Sequence, residues 1–289
     1  MATELIATAP AITVPCVVFA LRRESMYFRR AYPFRQRFSG APCCARFCGS
    51  QEWRGKGKPE RFSPKTGPDG YLRADTFFRD YFRPSVLMLE TGVGATAIST
   101  ALRWCLSGPR FGGMPYRPRL LVSVGFSGAL QPEQSVGDLV LATEVVDPQG
   151  HRWPAVRPAA WANRDIAAGR LLTMPELVSD PREKQRLGRQ YDALAVDMES
   201  AVAARLCHQH SIPFICLRVI SDDWQTPLSP HLLHLLRQGH VSIPRLAGQV
   251  LRHPKLIGEL WRLASQTRYA SRRLSEPLSA IVMNRPEFV

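Results

Sequence analysis

Two apolar runs in this chain end on acids. Residues 194–202 read L-A-V-D-M-E-S-A-V and residues 216–223 read C-L-R-V-I-S-D-D, which puts Glu199 and Asp222 where buried strands would stop. A third acid, Glu24, closes the stretch A-L-R-R-E-S at 20–25, just past the apolar run at 14–20. An acid at the edge of a core costs desolvation energy unless a partner or a ligand uses it. Each has a plain structural reading: Glu199 as a first-turn residue favoured by the helix dipole, Asp222 as a cap or turn acid, Glu24 as a partner of Arg22 or Arg23. Two glycine-bearing turns accompany them, E-T-G-V-G-A-T at 90–96 and S-V-G-F-S-G-A-L at 123–130, followed by V-G-D-L-V at 136–140. A lone G-x-G is a weak sign of phosphate or ribose binding. Taken together, all these elements fall at the carboxyl ends of predicted strands, where α/β sheets place ligands.

The elements that must position them follow from hydrophobic patterning. Apolar runs at 14–20, 85–90, 119–124, 138–145, 193–197 and 213–220 read as buried strands of a mostly parallel sheet. Helical periodicity occupies 95–106 and 199–210 between them. Alternation of this kind predicts a layered α/β domain. Residues 49–80, rich in Gly, Pro and charge, read as a surface insertion into a domain spanning 12–225. Residues 226–289 read as a C-terminal helical extension packed on the same domain, with prolines at 230, 244 and 254 dividing its segments. Its last segment sets Leu256, Leu260, Leu263 and Tyr269 near one face with arginines around them. That pattern fits a helix docked on the sheet, or a basic amphipathic surface for an anionic membrane.

At 289 residues and 45% hydrophobic, the chain can bury a substantial core, and its 21% charge argues against disorder. The formal net charge of +14 favours anionic partners, whether phosphate, nucleic acid or a membrane surface, and does not choose among them. Nucleic-acid binding lacks support beyond that charge, for there is no helix-turn-helix, zinc-finger or RNP-type pattern. The seven cysteines cluster only at Cys43, Cys44 and Cys48, with no second pair at metal spacing, so neither a metal nor another cofactor is expected. Buried reduced thiols in the cytoplasm are the expectation. The apolar stretch at 9–20 has the wrong charge order for a signal sequence, with Glu4 before it and Arg22 and Arg23 after it.

The segments V-G-F-S-G-A-L, V-G-D-L-V, A-V-D-M-E-S-A-V-A and L-R-V-I-S-D-D together resemble the purine nucleoside phosphorylase and nucleosidase superfamily. Within it the chain is most similar to the methylthioadenosine/S-adenosylhomocysteine nucleosidase branch, with futalosine hydrolases and hopanoid-associated phosphorylase-like proteins. The likeness covers roughly residues 14–225 apart from the insertion, and the tail resembles the hopanoid-associated group more weakly. It implies an α/β, three-layer phosphorylase-type fold, with a central mixed, mostly parallel sheet flanked by helices. It also implies cleavage of the N-glycosidic bond of an adenosine-type nucleoside. In that reading Asp222 protonates or hydrogen-bonds the purine at N7, Glu199 grips the ribose hydroxyls and favours an oxocarbenium-like transition state, and Glu24 activates water. Gly94, Phe126, Ser127, Gly128, Met198 and Ser221 become substrate-binding positions, with Leu177 and Val178 on the purine face. Phosphorylases of the hexameric kind commonly carry an arginine two residues before the glycine of the G-F-S-G element, where this chain has Ser123. That departure favours water over phosphate as the nucleophile. Phosphorolysis stays open, with phosphate as co-substrate, because Arg22 and Arg23 lie in the Glu24 loop. Relatives of this kind form homodimers or larger assemblies. The rival reading from another class is a non-catalytic nucleoside binder, against which the retention of all three carboxylates speaks.

Overall fold

The computed structural model describes residues 12–31, 36–37, 41–48, 86–111, 114–161, 165–225, 264–274 and 277–278. Each of the six apolar runs forms a strand. They correspond to β1 (Ile12–Phe19), β4 (Val86–Glu90), β6 (Met114–Ala129), β7 (Leu139–Val146), β10 (Ala193–Asp197) and β11 (Phe214–Asp222). Shorter strands complete the set: β2 (Gln36–Arg37), β3 (Cys44–Cys48), β5 (Arg110–Phe111), β8 (Arg152–Pro154) and β9 (Ala167–Thr173). The helices are α1 (Met26–Ala31), α2 (Ala95–Leu106), α3 (Pro181–Tyr191) and α4 (Ser200–Gln209), followed by α5 at 264–274. The insertion read at 49–80 lies outside the described residues, as do Leu256, Leu260 and Leu263 of the tail.

The sheet is mixed, in the order β10-β9-β7-β11-β6-β1-β4-β3-β2. Its centre, β4-β1-β6-β11, is parallel throughout. A second parallel group, β7-β9-β10, joins it through the antiparallel β7–β11 pair. The long strand β6 then turns back to pair with β10, matching Ala129 to Ala195 and Gly128 to Val196. With that contact, β6, β11, β7, β9 and β10 close into a ring, which removes a free sheet edge and brings the end of β10 against the end of β6. Proline within a buried strand removes a ladder donor, and Pro15 of β1 sits where the chain tolerates this, at a register break opposite Pro118 and Leu120 of β6.

Strand alternation divides the core into layers. Cys16 and Val18 of β1, with Leu87 and Leu89 of β4, face Ile98, Leu102 and Cys105 of α2 and Ala203, Ala204 and Cys207 of α4. Val17, Phe19, Val86 and Met88 point the other way, towards Phe28 of α1 and Ala270 and Leu274 of α5. Fully burying a Leu, Ile or Phe side chain is worth about 1.5–3 kcal/mol, so the two faces rather than helix propensity fix these helices in place. A third cluster, Leu130, Val146, Leu172, Leu187, Ala193 and Val196, seats α3 over the closed end of the ring. No helix among the described residues is long and apolar enough to cross a membrane.

Candidate active site

Glu24 follows β1 in a tight turn, its own N–H donating to the Leu21 carbonyl at 3.1 Å. Its carboxylate is buried and folds back on that turn, accepting from the Leu21 N–H at 2.8 Å through Oε2 and from the Phe126 N–H of β6 at 3.0 Å through Oε1. The turn is anchored from the next strand, where Glu90 at the end of β4 accepts from the Ser25 hydroxyl and pairs with Arg29 at 3.3 Å. Close approach to β6 needs the absence of a side chain at Gly125, because a Cβ there would stand 2.9 Å from Glu24 Oε1. Burial raises the carboxyl of Glu24 above the ordinary range, and the Leu21 and Phe126 N–H groups pull in the opposite direction.

Glu199 begins α4 without capping it. Its carboxylate leaves the helix and accepts from the Gly94 N–H at 2.8 Å, at the glycine turn that starts α2. The first turn of α4 is satisfied instead by Asp197, whose Oδ2 accepts from the Ser200 N–H at 3.1 Å and the Ser200 hydroxyl at 2.7 Å. Freed from that duty, Glu199 is aimed into the space between α2 and β6. Burial, with the charge of Asp197 nearby, pushes its carboxyl up to about 7, and the Gly94 N–H offsets part of this.

Arg218 is the cation at the centre of this arrangement, and it projects from the middle of the fully apolar β11 run. Its Nε and Nη2 donate to Asp197 Oδ2 at 3.0 and 2.8 Å, and Nη2 also reaches Ser123 Oγ at 2.9 Å and Ser200 Oγ at 2.6 Å. Asp197 is completed by the Thr173 hydroxyl at 2.7 Å. The buried pair, joining β11 to β10, therefore has partners on β6, β9 and α4 at once. Removing one member of such a pair typically costs about 3–5 kcal/mol, because the other charge stays buried and unpaired.

One pocket, partly open to solvent, gathers these groups. Glu24, Glu199, Arg218, Ser123, Gly125 and Phe126 line it, over an apolar floor that includes Val18 and Ile98. Gly94, which lies at its rim through the contact with Glu199, and the half-buried Met198 stand beside it. Asp222 does not line this pocket. It lies further along the same two strands, opposite Gly128 of β6, where a Cβ would come within 2.9 Å of its Oδ2. Gly125 and Gly128 are three residues apart on an extended strand, so Glu24 and Asp222 rest on points separated by about 10 Å along β6. Ser221 supports Asp222 there: its hydroxyl lies 2.9 Å from Asp222 Oδ1 and 3.3 Å from the Ser127 carbonyl oxygen, and donates to one of them at a time. Val178 packs on the Leu130–Leu187 cluster beneath α3, and Leu177 beside it is half-buried.

The sequence reading did not single out Arg218, Asp197 or Lys184. Lys184 of α3 is 1% exposed and forms an ion pair with Asp222 Oδ2 at 2.5 Å, with a second bond to the Asp223 carbonyl at 2.7 Å. Signals for all three were present. Arg218 is a lone charge within the run F-I-C-L-R-V-I, and Asp197 ends an apolar run three residues before the Ser200 helix start. For Lys184 the signal is D-P-R-E at 180–183, a capping sequence in which Asp180 accepts from the Arg182 and Glu183 N–H groups and Pro181 opens the helix. Lys184 falls on the stripe of Leu187 and Gly188, the face that helical spacing turns inward. Among the described residues no cluster of His, Cys, Asp or Glu is arranged to hold a metal ion.

Comparison with known proteins bears on the fold and the family. The 5'-methylthioadenosine/S-adenosylhomocysteine nucleosidase of Anoxybacillus flavithermus is 29% identical over 48% of this chain and 68% of its own length. The Bacillus cytotoxicus protein of the same name is 26% identical over 47% and 68%. Among solved structures, the Streptococcus pneumoniae nucleosidase with a transition-state inhibitor superposes with a TM-score of 0.60 at 13% identity, covering 94% of this chain and 99% of that one. Futalosine hydrolase of Helicobacter pylori gives 0.60 at 12% identity, covering 93% and 97%. At these identities the structural likeness speaks for the fold. A sequence profile described as the phosphorylase superfamily matches residues 65–232, a segment that holds Glu199, Arg218 and Asp222 and begins after Glu24. On that match over more than half its length, the chain belongs to the phosphorylase superfamily.

Proposed function

We propose that the protein cleaves the N-glycosidic bond of a purine nucleoside of the adenosine type, with water as the nucleophile. The observation that carries this reading is the convergence of Glu24 and Glu199, from opposite ends of the chain, on one pocket beside Gly125 and Phe126. Glu24 takes the proton of the attacking water. Glu199 accepts from the ribose hydroxyls and opposes the positive charge that develops on the sugar. Asp222 serves the leaving base from its seat opposite Gly128, further along the same two strands. Ser127, Gly128 and Ser221 hold the backbone on which the nucleoside rests, and Met198 and Phe126 supply apolar contact.

Water is favoured over phosphate by the pocket's charge. Two carboxylates line it, and its arginine is already engaged by Asp197, Ser123 and Ser200. A phosphate dianion placed there would meet Glu24 and Glu199 with little cationic compensation. The test is to incubate the protein with adenosine, methylthioadenosine, S-adenosylhomocysteine, futalosine and inosine, with and without phosphate. Free base and ribose or its 5'-substituted form are expected in both conditions. Ribose-1-phosphate formed only with phosphate would replace hydrolysis by phosphorolysis, and tight nucleoside binding without base release would make the protein a binder.

The reading extends to partners. Ser271 of α5 donates to the Arg23 carbonyl at 2.8 Å, so α5 with its exposed Arg268 docks on the loop that carries exposed Arg22 and Arg23, and we take this basic region as suited to an anionic lipid surface. Flotation with anionic vesicles at low salt tests this, and failure to co-float removes it. A cytoplasmic homodimer is the form in which we expect the protein to work.

A further inference from the structure

The buried ammonium of Lys184 touches neither the sugar site nor the attacking water, and its route into the reaction is Asp222. Lysine is almost never fully buried without a partner. Here the chain brings it in on α3, an element with its own cap at Asp180 and a close seat on the ring, since Gly188 lies where a Cβ would come within 2.4 Å of the Leu130 carbonyl. Such packing leaves the Lys184 stem little freedom, and Nζ is fixed between Asp222 Oδ2 and the Asp223 carbonyl. The second Asp222 oxygen is taken by the Ser221 hydroxyl. The carboxylate is thus oriented from both ends, and next to it stands a group that carries a transferable proton.

We propose that Lys184 is the positioning residue of the leaving-base acid and the store of its proton, an inference that rests on the nucleosidase reading. As the bond between the sugar's anomeric carbon and the base breaks, its electron pair remains on the base. One proton passes from Lys184 Nζ through the Asp222 carboxylate to a ring nitrogen of the base, leaving a neutral amine and a carboxylate. The oxygen of water bonds to the anomeric carbon, and the proton it sheds goes to Glu24. Exchange through solvent returns that proton to Lys184, so each turnover consumes one water and leaves the site unchanged. The pair therefore suits a base that must be protonated to leave, such as a purine with an accepting ring nitrogen, and contributes nothing to a leaving group already stable as an anion.

That difference supplies the test. Lys184→Met keeps the length and removes the proton. Turnover of a purine nucleoside should fall at least about 100-fold in kcat with KM changed little, the range for a lost general acid. Cleavage of 4-nitrophenyl riboside, whose leaving group needs no proton, should stay within about threefold of the parent. Equal losses on both substrates would make Lys184 a merely structural residue and overturn the proposal. If the riboside is not a substrate, or if the single variant does not fold by urea titration, Lys184→Met combined with Asp222→Asn decides. Removing both charges together avoids a buried unpaired carboxylate. Acting only through Asp222, Lys184 should add nothing to the loss seen in Asp222→Asn alone, and a further tenfold drop would refute the assignment. A parent protein that releases no base from any nucleoside would instead refute the nucleosidase reading.

Discussion

Replacing Glu199 by glutamine tests the electrostatics of the pocket without needing a substrate. In the folded protein its carboxyl is raised to about 7, first by burial and then by the charge of Asp197. In the unfolded chain it returns to the ordinary range near 4.3. A carboxyl raised on folding makes its full contribution to stability below the unfolded value and loses it as pH climbs through the folded one. Each unit of difference is worth about 1.4 kcal/mol, so between pH 5 and 8 this residue should remove about 2–3 kcal/mol from the stability of the parent. Glu199→Gln keeps an oxygen that can accept from the Gly94 N–H and has nothing to ionise. Urea unfolding of both proteins at half-unit steps from pH 5 to 8 would separate this contribution from that of every other titrating group. The variant should gain on the parent steadily, by about 2–3 kcal/mol at pH 8 relative to pH 5. Parallel curves would show that Glu199 does not ionise in this window, and the account of its burial would fail. The same sign applies to activity: if the ionised form holds the ribose, kcat/KM of the parent should rise with pH through about 7, while the variant should be slow at every pH.

Three other substitutions probe the supports of the site. Arg218→Met should lower stability by about 3–5 kcal/mol in chemical denaturation by stranding Asp197, and adding Asp197→Asn should restore most of that. Gly128→Ala should leave the melting temperature within a few degrees yet cut nucleoside turnover at least tenfold, since its Cβ would fall 2.9 Å from Asp222 Oδ2 and push the carboxylate aside. Gly188→Ala should destabilise the protein by about 1–3 kcal/mol on thermal unfolding, the usual cost of overpacking, because the obstacle is the Leu130 carbonyl rather than a side chain that can swing away.

What the sequence disclosed depended on whether a residue's neighbours were local. The strands β1, β4, β7, β10 and β11 are continuous apolar runs, and their positions could be read because burial on both faces leaves that mark. Strand β9 left none: its first four residues, Ala167 to Arg170, are only half-buried or exposed, and Leu171 and Leu172 alone are too short a run. The long β6 was legible only in its middle, since Pro115 and Pro118 hide its first half and glycines its last. For the site, Glu24, Glu199 and Asp222 announced themselves as charges at the ends of apolar runs. Their grouping did not, because it depends on the β10–β6 pairing that closes the ring, a contact between residues far apart in the chain. Lys184 was hidden twice, by a helix whose exposed face is densely charged and by a partner on another strand.

The closed ring also explains why this pocket can hold two acids without holding a free cation. The β10–β6 contact, Ala195 with Ala129 and Val196 with Gly128, sets the end of β10 and the turn from Asp197 to Glu199 beside β6, whose Gly125 β11 pairs with Arg218. Two carboxylates and one guanidinium are thereby brought together by the strands and the turn that carry them. Asp197 takes Arg218, and the bond from the Gly94 N–H draws Glu199 away towards α2. The result separates duties among neighbouring acids. Asp197 is spent on structure, and Glu199 and Glu24, satisfied mainly by backbone N–H groups, keep lone pairs for a ligand. A backbone donor cannot rotate off or titrate, so it holds a carboxylate in place without neutralising it. In its ionised form such an acid can oppose the charge of a sugar that becomes cationic, which is the property glycosidic cleavage requires.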